Sequence, residues 1–322
     1  MNHTGGKKNL VSVIVPAMNE EGNIAEFCGQ FDDMQKKAGF SCELVFIDDG
    51  STDGTLQVIK SAAQKYGFVR FESRPRKGGV TAALETGFQK ARGDIFIYYP
   101  ADLQYKPEDI PKLVQPILDG ADICTGWKQG KYEKRLVSLI YNWFSRKLFN
   151  LKVHDLNSVK AFRKEITERV FMRQDWHRYL VVLAAEAGYR VEETKIPLYE
   201  RHWGKSKYSA GSRILVGLLD LISVWFQIRL LKKPLLYFGT AGTILFFFSL
   251  LVGLLAIYLR IFEHEGYRPL LYLVILLAGL GMGFFVMGFV LEVQTALKEE
   301  IGDLRMKLRQ VLSDKNRSNE QD

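Results

Sequence analysis

Two uncharged apolar stretches constrain this chain more than any other feature. "PLLYFGTAGTILFFFSLLVGLLAIYL" (Pro234–Leu259) and "PLLYLVILLAGLGMGFFVMGFVL" (Pro269–Leu291) contain no Asp, Glu, Lys or Arg. Each exceeds the ~20 apolar residues that cross the hydrocarbon core of a bilayer. A soluble core helix of that length would normally carry a polar stripe. The connector "RIFEHEGYR" is short, so a hairpin of two membrane helices is expected, with both ends on one side. Arg229, Lys232 and Lys233 precede the first stretch, and Lys298, Arg305, Lys307 and Arg309 follow the second, against Arg260 and Arg268 in the connector. That asymmetry places the bulk of the chain in the cytoplasm. Cys28, Cys42 and Cys124 form no CxxC pair and leave one unmatched, which agrees with a reducing compartment.

The rest divides around this hairpin. Residues 1–210 read as a soluble α/β domain, 211–233 as amphipathic helices lying at the membrane surface, 234–292 as the two membrane helices and 293–322 as a charged cytosolic tail. In the first region short apolar runs ("LVSVIVPAM", "CELVFIDDG", "GDIFIYYPAD", "ADICTGW") alternate with helix-like segments over Glu20–Ala38, Thr55–Lys65, Val80–Ala91 and Pro107–Leu118. That alternation predicts a parallel sheet covered on both faces. "GSRILVGLLDLISVWFQIRLLKKP" is too polar to span and suits an interfacial helix with Trp225 at headgroup level; the other reading is an ordinary helix packed on the domain. Gly279, Gly281 and Gly283 allow close helix approach, serving either self-association or only the hairpin. A net charge of +8 favours anionic partners. Two membrane stretches and no recognisable nucleic-acid module argue against nucleic acid.

Chemistry-bearing residues cluster at the ends of the predicted strands, where open α/β sheets bind ligands. "VIVPAMNEEGNI" ends a strand at Pro16 and starts a helix near Asn19 and Glu20. "VFIDDGSTDGT" puts Asp48, Asp49 and Ser51 beyond the next strand, suited to a base edge, ribose hydroxyls or a metal, or simply to a helix cap. "RPRKGGVTAALETG" leads Arg74, Arg76 and Lys77 into Gly78, Gly79 and a helix; cations and bare N–H groups there suit a pyrophosphate. Neither GxxxxGK[ST] nor GxGxxG is present, which excludes a P-loop and argues against a dehydrogenase. "IFIYYPADLQ" carries Asp102 and Gln104 after a fourth strand.

Taken in order, "VPAMNEE … IDDGSTDGT … KGG … PADLQ" resembles the family 2 glycosyltransferases with a GT-A fold. Within them the chain is similar to the polyprenyl-phosphate glycosyltransferases, relatives of dolichol-phosphate mannose synthase. "HDLNSVKAFRKE", "WHRYL" and "RHWGKSKY" extend the likeness over about Val11 to Lys233. The resemblance implies an α/β GT-A catalytic domain joined to interfacial helices and the hairpin. It implies transfer of a sugar, UDP-linked by preference, to undecaprenyl or dolichyl phosphate in the membrane, with Mg²⁺ or Mn²⁺ as cofactor. By residue, it puts Pro16, Asn19, Glu20, Asp48, Asp49, Ser51, Lys77 and Gly78 at the nucleotide and Asp102 and Gln104 at the metal. Arg163, Arg201, Ser206 and Lys207 would meet donor or acceptor phosphate, with Asp102, Arg163, Arg201 and Lys207 as the catalytic set. His177 and Arg178 are open between holding the donor sugar and a helix cap or internal hydrogen bond.

One departure stands out. The family reads Asp-Ala-Asp-Leu-Gln where this chain reads Pro100-Ala101-Asp102-Leu103-Gln104. Mg²⁺ and Mn²⁺ often need only one or two carboxylates beside substrate phosphates, so a weaker cation site is expected. The competing expectation is a non-catalytic, lipid-binding or scaffolding homologue with a degenerate site. A processive polysaccharide synthase is disfavoured by "RQDWHRYL", which lacks QxxRW spacing, and by only two spans.

Overall fold

The β-branched runs of the N-terminal region form the centre of a seven-stranded sheet. The computed structural model describes residues 10–130, 135–170, 173, 175–201, 211–264 and 266–319. Strands β1 (Leu10–Ala17), β2 (Ser41–Asp48), β3 (Val69–Ser73) and β4 (Ile95–Tyr98) alternate with helices α1 (Glu21–Lys37), α2 (Thr55–Lys65) and α3 (Gly79–Lys90). A 3₁₀ turn at Pro107–Asp109 opens α4 (Ile110–Leu118), and β5 (Ile123–Gln129), α5 (Arg135–Phe149), β6 (Lys160–Arg163) and α6 (Glu165–Arg169) follow. A second 3₁₀ turn, Trp176–Tyr179, leads into α7 (Leu180–Glu186) and β7 (Val191–Pro197). The spatial order is β3-β2-β1-β4-β6-β5-β7.

The sheet is mixed, not parallel as the alternation predicted. β6 runs antiparallel to both β4 and β5, while the other adjacent pairs are parallel. The expectation failed because β6 is only four residues long and follows a polar loop, so it leaves little periodic signal. Its reversal has a direct consequence for chemistry: the amino end of β6 lies on the edge where the other strands have their carboxyl ends. Lys160 pairs with Tyr98, and Arg163 pairs with Ile95 at the far edge.

The core explains the strand choice. Val11, Val13 and Val15 of β1, Phe46 of β2 and Ile97 of β4 pack with Phe27 and Phe31 of α1 at full burial. Each such side chain contributes roughly 1.5–3 kcal/mol when removed from water. The three cysteines are unpaired, and burial pushes each thiol up to about 12, so they behave as small apolar groups.

Residues 1–215 and 216–322 form two compact units. In the second, α8 (Gly211–Arg229, beginning in the first unit) is followed by a 3₁₀ turn, a π-helical turn at Leu235–Gly239, α9 (Thr240–Phe262) and α10 (Arg268–Asn319). On α8, Leu221, Val224 and Ile228 are buried while Leu219 and Ile222 are exposed. Leu235–Phe262 and Arg268–Leu304 are long and apolar enough to cross a membrane, and their outward faces present Phe246, Phe247, Phe248, Leu276 and Phe289. Gly281 is used within the hairpin, since a Cβ there would meet the Gly242 carbonyl at 2.8 Å, whereas Gly279 and Gly283 face open space. Ser249 Oγ donates to the Val274 carbonyl (3.0 Å) and Thr295 Oγ1 to that of Leu231 (3.2 Å). Glu292 accepts the Leu235 N–H at 3.1 Å, satisfying one donor at a helix start. The charged tail is the same helix as the second apolar stretch, running on to Asn319.

Candidate active site

The expected nucleotide residues meet where β1 and β2 end. Asn19 adopts a left-handed conformation (φ 53°). Its N–H donates to Ser51 Oγ (3.0 Å) and its side-chain carbonyl accepts the Thr52 N–H (2.8 Å). The Glu20 N–H donates to Thr55 Oγ1 (2.8 Å), and the Glu20 carboxylate accepts from the Asn23 amide (2.7 Å). Pro16 pairs with Ile47 in the strand register. These contacts tie the loop after β1 to the loop after β2.

Asp48 and Asp49 are both buried. Asp48 accepts the Ser51 N–H (3.2 Å) and the Ser73 hydroxyl (2.9 Å). Asp49 accepts from the Arg74 guanidinium and from the N–H groups of Gly78 (2.9 Å) and Gly79 (2.8 Å). The N–H groups expected to be bare for a pyrophosphate are therefore held by Asp49, because an unsatisfied helix start beside a buried carboxylate is costly to both. Gly50 makes the approach possible: its φ is +71°, and a Cβ there would lie 2.9 Å from the Lys77 nitrogen. Arg76 and Lys77 remain exposed at the rim.

Of the residues expected at the metal and the phosphates, Asp102, Gln104 and Arg201 meet after β4. Leu103 is buried in the core with a left-handed φ of 55°. The tight turn it makes is closed by the Gln104 N–H donating to Asp102 Oδ1 (3.2 Å). Arg201 Nη2 then donates to Asp102 Oδ2 (2.6 Å) and lies 3.4 Å from Gln104 Oε1. The Tyr199 N–H donates to the Gln104 carbonyl (2.9 Å) and anchors the segment after β7 that carries Arg201. Two hard oxygen donors thus converge on one point, which suits Mg²⁺ or Mn²⁺ if substrate phosphates and water complete the shell. Among the described residues no group of three or more His, Cys, Asp or Glu side chains could hold a metal by itself.

The structure corrects Arg163. It sits at the opposite sheet edge, where it donates to the Ile117 carbonyl (3.1 Å) and approaches Asp122 at 3.4 Å. Antiparallel β6 brings Lys160 to the site edge instead. Lys160 is fully buried, donates to the Ser158 carbonyl (2.8 Å) and lies 5.8 Å from the centre of the Tyr98 ring. Burial brings its ammonium down to about 7 despite the Asp155 carboxylate nearby. Asp155, buried, pairs with Lys128 at 3.3 Å. A lysine between Val159 and the pair Ala161-Phe162 was the available signal in the sequence. His177 is an internal group: Nδ1 lies 2.9 Å from Thr81 Oγ1 in the first turn of α3, and burial lowers its pKa to about 3, so the ring is neutral. Ser206 and Lys207 lie outside the described residues.

Residues 12–175 match the family described as Glycosyl transferase family 2. The chain belongs to glycosyl transferase family 2. A dodecaprenyl-phosphate galacturonate synthase of Rhizobium johnstonii is 30% identical over 241 residues, which is 72% of this chain and 71% of that protein. An undecaprenyl-phosphate 4-deoxy-4-formamido-L-arabinose transferase of Pseudomonas paraeruginosa is 30% identical over 220 residues, 67% of this chain and 65% of that protein. Among solved structures, glucosyl-3-phosphoglycerate synthase from Mycobacterium tuberculosis with Mn²⁺, UDP and glucosyl-3-phosphoglycerate aligns with a TM-score of 0.54 at 18% identity, covering 68% of this chain and 80% of that one. The same enzyme has also been crystallised with Mg²⁺ and UDP. At such identity the likeness establishes the GT-A fold, and it agrees with the fold read from the motifs.

Proposed function

We propose that this family 2 enzyme transfers a sugar from a nucleotide-sugar, UDP-linked by preference, to a polyprenyl phosphate, with inversion at the anomeric carbon. The observation that carries the reading is the convergence of Asp102, Gln104 and Arg201 on the sheet edge that also holds Asp48 and Asp49. The names of the similar proteins, both polyprenyl-phosphate enzymes, supply the acceptor class.

The chemistry suits these residues. A phosphate monoester is already a mono- or dianion near pH 7, so it attacks the anomeric carbon without a strong general base. The C–O bond to the acceptor forms as the bond to the diphosphate breaks, giving a β-linked product from an α-linked donor. The protein must position the two partners and cover the charge on the departing diphosphate. Arg201 and the rim cations Arg76 and Lys77 serve that cover. A divalent cation would be held by Asp102 and Gln104, and it supplies further neutralisation of the diphosphate when bound. Asp48 and Asp49 shape the base and ribose pocket through the loops they hold together. Ser206 and Lys207 keep their acceptor-phosphate role on the resemblance alone.

The hairpin anchors the enzyme where its acceptor lies, with the catalytic unit in the cytoplasm and α8 at the headgroup level. The test is a donor screen: protein in detergent, polyprenyl phosphate, a panel of UDP- and GDP-sugars with Mn²⁺ or Mg²⁺, and mass spectrometry of the lipid. One donor giving a glycolipid with inverted configuration is the expected result. A retained configuration would sink the direct-attack mechanism, and no product from any donor with folded protein would favour the scaffolding alternative.

A further inference from the structure

We infer that Arg201 is a latch on the cation site: in the donor-free protein its guanidinium holds the position a divalent cation would take, and donor diphosphate releases it. This rests on the reading of Asp102 and Gln104 as the cation end of the donor site. The argument starts from a coincidence of geometry. Asp102 Oδ2 and Gln104 Oε1 come from alternate residues of one tight turn, and both point at the same atom, Arg201 Nη2, at 2.6 and 3.4 Å. The second Asp102 oxygen faces its own turn, accepting the Gln104 N–H. Asp102 Oδ2 therefore serves either the guanidinium or a cation, because two positive charges cannot share a point a few ångströms across.

Pro100 makes the competition decisive. In a site with two carboxylates, a cation could keep one while an arginine held the other. Here the position of the first acid is a proline, and no three-carboxylate or histidine cluster among the described residues offers a substitute. The Asp102–Arg201 pair is partly buried, with side-chain exposures of 13% and 26%, so it is screened less than a surface pair. A diphosphate changes the balance, since it offers the guanidinium a bidentate anionic partner and offers the cation further oxygens. Cation binding is then coupled to donor binding, and Arg201 moves from carboxylate to phosphate as the donor arrives.

The test reads the cation, not turnover. Full-length protein in detergent is titrated with Mn²⁺ and free Mn²⁺ is followed by electron paramagnetic resonance, with and without UDP. The wild type is expected to bind Mn²⁺ at least about tenfold more weakly without UDP than with it, a charge-assisted hydrogen bond being worth ~1.5–3 kcal/mol. Arg201→Met should bind Mn²⁺ about tenfold more tightly than the wild type when UDP is absent. Asp102→Asn should bind poorly in both states. Arg201→Gln, paired with a melting curve, replaces the methionine variant if that one does not fold. Equal Mn²⁺ affinity of wild type and Arg201 variants without UDP would overturn the latch, as would absence of Mn²⁺ binding in every protein and state. Equilibrium dialysis of radiolabelled UDP separates the two readings: a wild type that binds no UDP counts against the proposed transferase, while the donor-free comparison still decides the latch.

Discussion

Asp49 and Asp102 lie past the carboxyl ends of β2 and β4, on the same edge of one sheet. Asp49 is buried and accepts from a guanidinium and two helix-start N–H groups. Asp102 has its own turn's N–H on one oxygen and, among the described residues, Arg201 on the other. Asp49 thus ties the loop after β2 to the segment that follows β3 through three contacts, whereas the carboxylate of Asp102 reaches the segment that follows β7 through one ion pair. An acid whose lone pairs are spent on the fold builds the pocket wall; an acid with one replaceable partner is available to a ligand.

The largest expected effect tests the second half of that contrast. Asp102→Ala should lower kcat of the proposed transfer by about 10²–10³, the scale of removing one group that stabilises developing charge, while the melting temperature changes little. If melting collapses with activity, Asp102 belongs with Asp49. The converse variant, Asp49→Ala, strands Arg74 and two N–H groups and should destabilise the catalytic unit by about 3–5 kcal/mol, measured by thermal unfolding followed through the tryptophans. An intact melting curve with lost nucleotide binding would make Asp49 a ligand group instead.

A third test concerns the other half of the sheet, where Lys160 is a buried cation beneath the same edge. Its ammonium falls from 10.5 to about 7 on folding. Between those values the folded protein has released a proton that the unfolded chain retains, so stability rises with pH through that window and the burial penalty is complete below pH 7. Lys160→Met should flatten this rise and melt higher than the wild type near pH 6, in melts between pH 6 and 10. An unchanged pH slope would show that Lys160 is not the group responsible. The smallest effect is a gain: Pro100→Asp restores a second carboxylate, and Mn²⁺ retention without UDP should improve by less than about tenfold, on the scale of one partly exposed charge pair.

Much of the fold was legible because it depends on local pattern. β1, β2 and β4 are apolar runs closed by turn residues, and α2 occupies Thr55–Lys65, the bounds of the helix-like segment expected there. The membrane-length helices needed only length and absence of charge. β6 was not legible: four residues carry too little periodicity to announce a strand, and strand direction is a property of the neighbours it meets. That one reversal put Arg163 at the opposite sheet edge and Lys160, buried, beside the carboxyl end of β4.

The sequence by itself determined the family, the two apolar stretches and the identity of the acids at the strand ends, since each is written in contiguous residues whose chemistry does not depend on distant partners. Only the tertiary structure decided which of those acids is spent and which is held by an exchangeable partner. Arg201 lies 99 positions from Asp102 and Gly78 lies 29 from Asp49. Contacts closed over such lengths are set by the sheet order and by the turns at Gly50 and Leu103, which the packed core holds in place.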